Sequence, residues 1–186
     1  MRVWTFSAWV MLILLLQGCA STASSPGTGA TKSGAVQLFD ADAKPRFNIY
    51  LSCASRTVNC DIVERAFDTW ADGRHLTLHT VSHDDAAFVQ GQPSRTQDQS
   101  LPYRLAVRYA PEMGTFSNSM TGTGTGLPVV SYKATVQVFD AATGSLLKTM
   151  SFHDEKTADD GGTANPYLKA QVQAFLGRLD PGHAKG

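Results

Sequence analysis

The sequence predicts an α+β fold: a mixed sheet of four to five strands with two main helices packed on it, in the order β-α-β-(short α)-β-β-β-α. Three observations predict it. Apolar residues recur at helical spacing in two separate stretches, Asp61–Asp72 and the segment after Asn165-Pro166. Between them lie several short runs in which apolar and polar residues alternate, the mark of half-buried strands. The clearest of these form a strand–turn–strand unit, Val129–Phe139, DAATGS and Leu146–Phe152. Strands mixed with helices in this order argue for a sheet covered by helices, on one face.

Each element has a local cause. In the first strand Phe47, Ile49 and Leu51 alternate with Asn48, Tyr50 and Ser52. In the first helix Ile62, Val63, Ala66, Phe67, Trp70 and Ala71 fall on one face, and Glu64, Arg65, Asp68 and Asp72 on the other. Asn59 is placed to cap its start and Gly73 to end it. His75–Ser82 reads as a strand through Leu76, Leu78 and Thr80, and Ser82-His83-Asp84-Asp85 as a capping box for a short helix ending by Gly91. Residues 91–100 read as polar loop. Tyr103, Leu105, Val107 and Tyr109 share one side of a further strand, and a Gly- and Ser-rich lobe follows over 110–128. In the DAATGS turn Gly144 supplies the left-handed conformation that closes a hairpin. An acidic loop over 154–162 leads to the last helix, which opens with Asn165 as its cap and a first-turn proline and places Leu168, Val172, Phe175, Leu176 and Leu179 on one stripe.

The N-terminus sets the organisation of the chain. Arg2 precedes an apolar run, Ala8–Leu16, far shorter than the roughly 20 residues that cross a bilayer. The run ends in Leu16-Gln17-Gly18-Cys19, and this segment resembles the lipobox of bacterial lipoprotein signal peptides. The resemblance implies removal of residues 1–18 and a diacylglyceryl and N-acyl chain on Cys19. One acyl chain binds a membrane only reversibly, at roughly 0.8 kcal/mol per buried CH₂, whereas several make a lasting anchor. Ala20 and Ser21 stand where inner-membrane lipoproteins carry Asp, so the resemblance implies the outer membrane, with the protein facing the periplasm. Residues 19–34 have no apolar side chain larger than Ala apart from Cys19 itself and read as a disordered tether, about 20 Å in typical span. Residues 35–186 read as a single periplasmic domain.

Composition narrows the function. The chain carries 16 basic and 16 acidic residues, so it has no electrostatic claim on nucleic acid or an anionic surface. For an exported chain, Cys53 and Cys60 in SCASRTVNC read as a disulfide, worth roughly 2.5 kcal/mol for so short a loop. The segment YKATVQVFDAATGSLLKTMSF with the closing helix resembles the domains of small mixed α/β outer-membrane lipoproteins, such as the activators of penicillin-binding proteins and the curli-secretion type. No functional residue comes with that resemblance.

Three stretches suggest chemistry. His75, His79 and His83 stand four apart beside Asp84 and Asp85. They would line one face of a helix, but on a strand consecutive ones lie about 13 Å apart, too far for one metal. Thr121–Gly126 is a TGTGTG run without the third glycine of a phosphate loop, and a strand follows it instead of a helix. Ser145 and Lys148 match S-x-x-K but fall in a hairpin, where they face opposite ways. The expectation is therefore a non-enzymatic envelope lipoprotein, held in the membrane by Cys19, that binds an envelope protein through 110–128 and 154–162. It carries no catalytic residue, cofactor or metal. The alternative is a small-ligand or metal binder using His75, His79 and His83.

Overall fold

The structure is a computed structural model that describes residues 35–89, 100–116, 127–157 and 164–183. All of them lie in the compact unit Gly34–Gly186. Cys19 and the tether fall outside the described residues, as do 117–126 of the glycine-rich lobe and 158–163 of the acidic loop.

The elements follow the expected order: β1 (Phe47–Cys53), α1 (Asp61–Gly73), β2 (Leu78–Thr80), α2 (Ala86–Val89), β3 (Tyr103–Phe116), β4 (Leu127–Asp140), β5 (Leu146–Thr157) and α3 (Asn165–Leu179). The strands make one mixed sheet ordered β2-β1-β3-β4-β5. β1 runs parallel to both β2 and β3, and β3, β4 and β5 are antiparallel.

Alternation decides which face each strand gives to the core. Phe47, Ile49 and Leu51 of β1, Leu105, Val107 and Tyr109 of β3, and the even-numbered residues Val130 to Val138 of β4 pack against α1 and α3. Phe67 of α1 and Phe175 of α3 both reach the Tyr109 ring, with centroids 6.2 and 5.5 Å away. The two long helices thus share one face, as the sequence predicts. The short α2 covers part of the other, where Phe88 packs with Ala106 and Phe139. Asp85 starts α2 by accepting the Ala87 N–H at 2.8 Å.

A buried carboxylate ties the ends of α1 and α3 together. Asp180 follows α3 and is 1% exposed. Its Oδ2 accepts from Trp70 Nε1 at 3.1 Å and Arg74 Nε at 2.6 Å, and its Oδ1 from Arg74 Nη2 at 2.6 Å and the Gly182 N–H at 3.0 Å. Four donors satisfy the charge, which makes so deep a burial tolerable.

The structure differs from the sequence reading in five places. Gly73 is the last residue of α1 but does not supply its left-handed ending. The left-handed residue is His75, at φ 55°; the His75 N–H bonds Asp72 O and the Leu76 N–H bonds Ala71 O. This is a Schellman ending built on histidine instead of glycine, and it confines β2 to Leu78–Thr80. Asn59 Oδ1 accepts the Asp61 N–H and its Nδ2 donates to Asp61 Oδ2, but Cys60 holds the N-cap position. Asn165 is the first residue of α3, and Ala164 occupies the cap.

The described residues of the 110–128 lobe are strand, because β3 runs to Phe116 and β4 begins at Leu127. Likewise Asp154–Thr157 belong to β5, where they pair with Val129–Tyr132. Pro111 is tolerated in β3 for a definite reason. Tyr109 O accepts from the Ala54 N–H on the β1 side, so the missing N–H of Pro111 also faces that side, past the last β1 pair, Cys53↔Tyr109.

Two outcomes follow. His75→Gly is expected to raise stability by about 0.5–1 kcal/mol, read from denaturant melts, because glycine takes φ 55° without strain; a loss would contradict the capping role. Asp180→Ala is expected to cost about 3–5 kcal/mol, because it strands the Arg74 guanidinium and the Trp70 N–H, and a change below about 1 kcal/mol would show the clamp to be superficial.

Candidate functional site

β1 is seven residues long and β3 is fourteen. Beyond Tyr109, therefore, β3, β4 and β5 project as a three-stranded extension with no β1 beside it. Register fixes what its outer face carries: Glu112 pairs with Ser131, and Ser131 with Glu155. The three form one row across the strands, with the two carboxylates roughly 10 Å apart by strand spacing.

The segment between β1 and α1 occupies the space that β1 leaves. The Cys53–Cys60 disulfide closes this segment, with Cα atoms 5.9 Å apart. Inside the loop Ser55 Oγ accepts from the Thr57 and Val58 N–H groups at 3.2 and 3.0 Å. Thr57 Oγ1 in turn accepts the Met113 N–H at 2.8 Å, supplying an acceptor that a longer β1 would have given. Loop and extension together bound an open cleft of about 760 Å³, lined among others by Ser55, Arg56, Thr57, Glu112, Ser131 and Glu155.

The cleft offers carboxylates on its strand floor, a guanidinium on its loop wall and hydroxyls between them. This set suits a polar partner carrying both signs of charge. The part of the 110–128 lobe that is described and the start of the 154–162 segment, far apart in sequence, meet here. A second groove of about 650 Å³ runs between α1 and α3, lined by Ile62, Arg65, Ala66, Pro166 and Lys169 among others.

The remaining candidates are not assembled. His75 ends α1, His79 lies on β2 with its ring stacked on Tyr50 at 4.9 Å, and His83 follows β2, its carbonyl accepting from Arg108 Nη2 at 3.4 Å. All three side chains are exposed. Among the described residues no group of three or more His, Cys, Asp or Glu side chains could hold a metal ion. Ser145 sits in the β4–β5 turn, where its N–H bonds Thr143 Oγ1, and Lys148 lies on β5. Thr121–Gly126 fall outside the described residues.

The sequence reading missed two polar features. Arg104 is buried on the α2 face with its guanidinium 5.0 Å from the Phe139 ring centroid. Burial lowers its basicity, against a smaller opposite pull from Tyr50 and Asp85. Tyr109 and Tyr132 stack at 4.9 Å in the core. Burial first, then Tyr132 and Asp154, push the Tyr109 hydroxyl far above the usual phenol range, which keeps it in its neutral form.

No protein-family model matches the chain, and no curated protein matches it. Solved structures do. One is a neuraminyllactose-binding hemagglutinin homolog from Helicobacter pylori, at 6% identity and TM-score 0.48, covering 76% of this chain and 85% of that one. The PelC dodecamer from Paraburkholderia phytofirmans matches at 16% identity and TM-score 0.41, covering 72% and 86%. Lipoprotein GNA1162 from Neisseria meningitidis matches at 15% identity and TM-score 0.35, covering 73% and 99%. Bacterial lipoproteins are thus among the solved structures to which this chain is similar, at a distance from which no role can be transferred.

Proposed function

We propose that the chain is a lipoprotein anchored to the outer membrane through acylated Cys19, with its domain facing the periplasm. Its role is accessory and non-enzymatic: it binds another envelope protein through the cleft beside the β3–β5 extension. The observation that supports binding is the row Glu112–Ser131–Glu155 opposite the disulfide-closed loop carrying Arg56. A loop held by a covalent bond over a rigid sheet presents recognition groups without a large ordering cost. The anchor rests on Leu16-Gln17-Gly18-Cys19. Among the described residues no helix is long and apolar enough to cross a membrane.

Each half has its own test. Cys19→Ser is expected to move the protein from the membrane fraction to the soluble fraction with its melting temperature unchanged; retention in the membrane would remove the acyl anchor from the proposal. In cells, crosslinking of the tagged lipidated chain should capture one dominant envelope protein. Glu112→Lys with Glu155→Lys should weaken that capture about tenfold, because exposed charges at an interface set encounter and specificity more than folding. Capture unaffected by the double change would place the contact elsewhere, and turnover of a substrate by the purified protein would end the non-enzymatic reading.

A further inference from the structure

The two edges of the sheet differ. β2 closes one edge with three residues. β5 forms the other with twelve residues and no proline, and among the described residues no strand pairs with its outer side. Leu146 and Leu147 at its start are 53% and 42% exposed. Soluble proteins usually blunt such edges with short strands, prolines, bulges or charges. β5 has a register shift against β4 at Leu147, near its start, and beyond it the charges Lys148, Asp154, Glu155 and Lys156, together with His153, whose placement is not indiscriminate.

We propose that the outer edge of β5 pairs with the same edge of a second copy of this chain, antiparallel and centred on Ser151. A two-fold axis perpendicular to the sheet brings residues of the same face opposite each other, so only registers that shift by whole pleats are allowed. Centred on Ser151, the strands overlap over Leu146–Lys156 of each copy. Lys148 then stands opposite Asp154 twice, Met150 opposite Phe152 twice, and Thr149 opposite His153.

The neighbouring registers are worse. Centring on Phe152 sets Lys148 against Lys156 and Met150 against Asp154. Centring on Met150 leaves Lys148 facing Phe152 and Asp154 facing Leu146. The register with complementary charge also overlaps as far as the one centred on Phe152 and further than the one centred on Met150. Asp154 already lies 3.6 Å from Arg178 Nη2 of α3, with both side chains partly exposed, so Lys148 of the second copy would join an existing pair. Met150 and Phe152 each pack against the core from this edge, and pairing would cover them from the outside. The charges that guard β5 against other strands thus select one partner, a second β5. The result is a continuous ten-stranded sheet with the long helices of both copies on one face.

The full chain, expressed in cells and oxidised mildly in its membranes, tests this independently of the cleft. In the proposed register the two copies of residue 151 face each other at about 4.5–5.5 Å between Cα atoms, within disulfide reach. The two copies of residue 149 are offset by about 13 Å along the strand. Ser151 and Thr149 are both exposed, so cysteine should be tolerated at either. Ser151→Cys is expected to give a reducible dimer, and Thr149→Cys at least about tenfold less. Adding Lys148→Glu to Ser151→Cys, which sets carboxylate against carboxylate, should cut the dimer about tenfold. No dimer from Ser151→Cys, equal dimer from both positions, indifference to Lys148→Glu, or a crosslink to a different protein would each overturn the proposal.

Discussion

The feature on which the rest of the molecule depends is a mismatch in strand length. β1 can pair only Tyr103–Tyr109, yet β3 continues to Phe116. Strand groups left without a partner are costly where they are shielded, about 1–3 kcal/mol each. The chain meets this cost locally. Proline removes the donor at 111, Ala54 bonds Tyr109 O, and Thr57 accepts from Met113. The β1–α1 loop must therefore lie along the extension, and the Cys53–Cys60 bridge holds it there while returning the chain to α1. The cleft is the space between that loop and the strands it accompanies, so it follows from the register and not from a separate device.

The opposite end of the helix layer holds the scaffold still. Trp70, Arg74 and Asp180 clamp the C-terminal ends of α1 and α3, and Phe67, Tyr109, Tyr132 and Phe175 interlock helices and sheet through edge and stacked contacts. With the helices fixed by a buried charge and an aromatic core, the open face of the extension can carry polar groups without weakening the fold. The residues proposed to bind and the residues that hold the fold are different ones, and Glu112 and Glu155 are exposed, outside the core.

Most of the fold was legible because burial writes a period into sequence. α1, α3, β1 and the β4–β5 hairpin each bury one face, and their apolar residues repeat accordingly. The asymmetry at Asp140 and Gly144 was legible too: Asp140 Oδ1 accepts the Ala142 and Thr143 N–H groups, and Gly144 takes φ 72°. The Thr143 bond contributes most to keeping the Asp140 carboxyl below its ordinary range, so its support is present above that range and lost as pH falls through it. The extension was not legible, because Glu112, Met113, Gly114, Glu155 and Lys156 are all exposed and write no period. His75 hid its role for another reason: a left-handed residue is read from glycine, and here histidine takes that conformation. The histidine spacing of four was real, but a helix ending, a short strand and a turn disperse it. The row Glu112–Ser131–Glu155 exists only in the register, which no local pattern states.

The cleft and the free edge share β5, and this links the two proposals physically. Side chains alternate along the strand, so Asp154 turns to the helix face while Glu155 turns to the cleft. In the pairing centred on Ser151, the residue of the second copy opposite Glu155 is Leu147, at the register shift beyond which Leu146 stands opposite Phe139 of the face away from the long helices. Each cleft floor would then continue past Glu155 onto an apolar side chain that is 42% exposed in one copy alone. Two such clefts, related by the axis through Ser151, would open on the same face of one sheet, the face away from the long helices. A partner reading both would gain from the fixed separation between them, since the second contact forms at the effective concentration set by the first. The same edge that makes a single copy prone to association would thereby convert a shallow, polar cleft into a paired site.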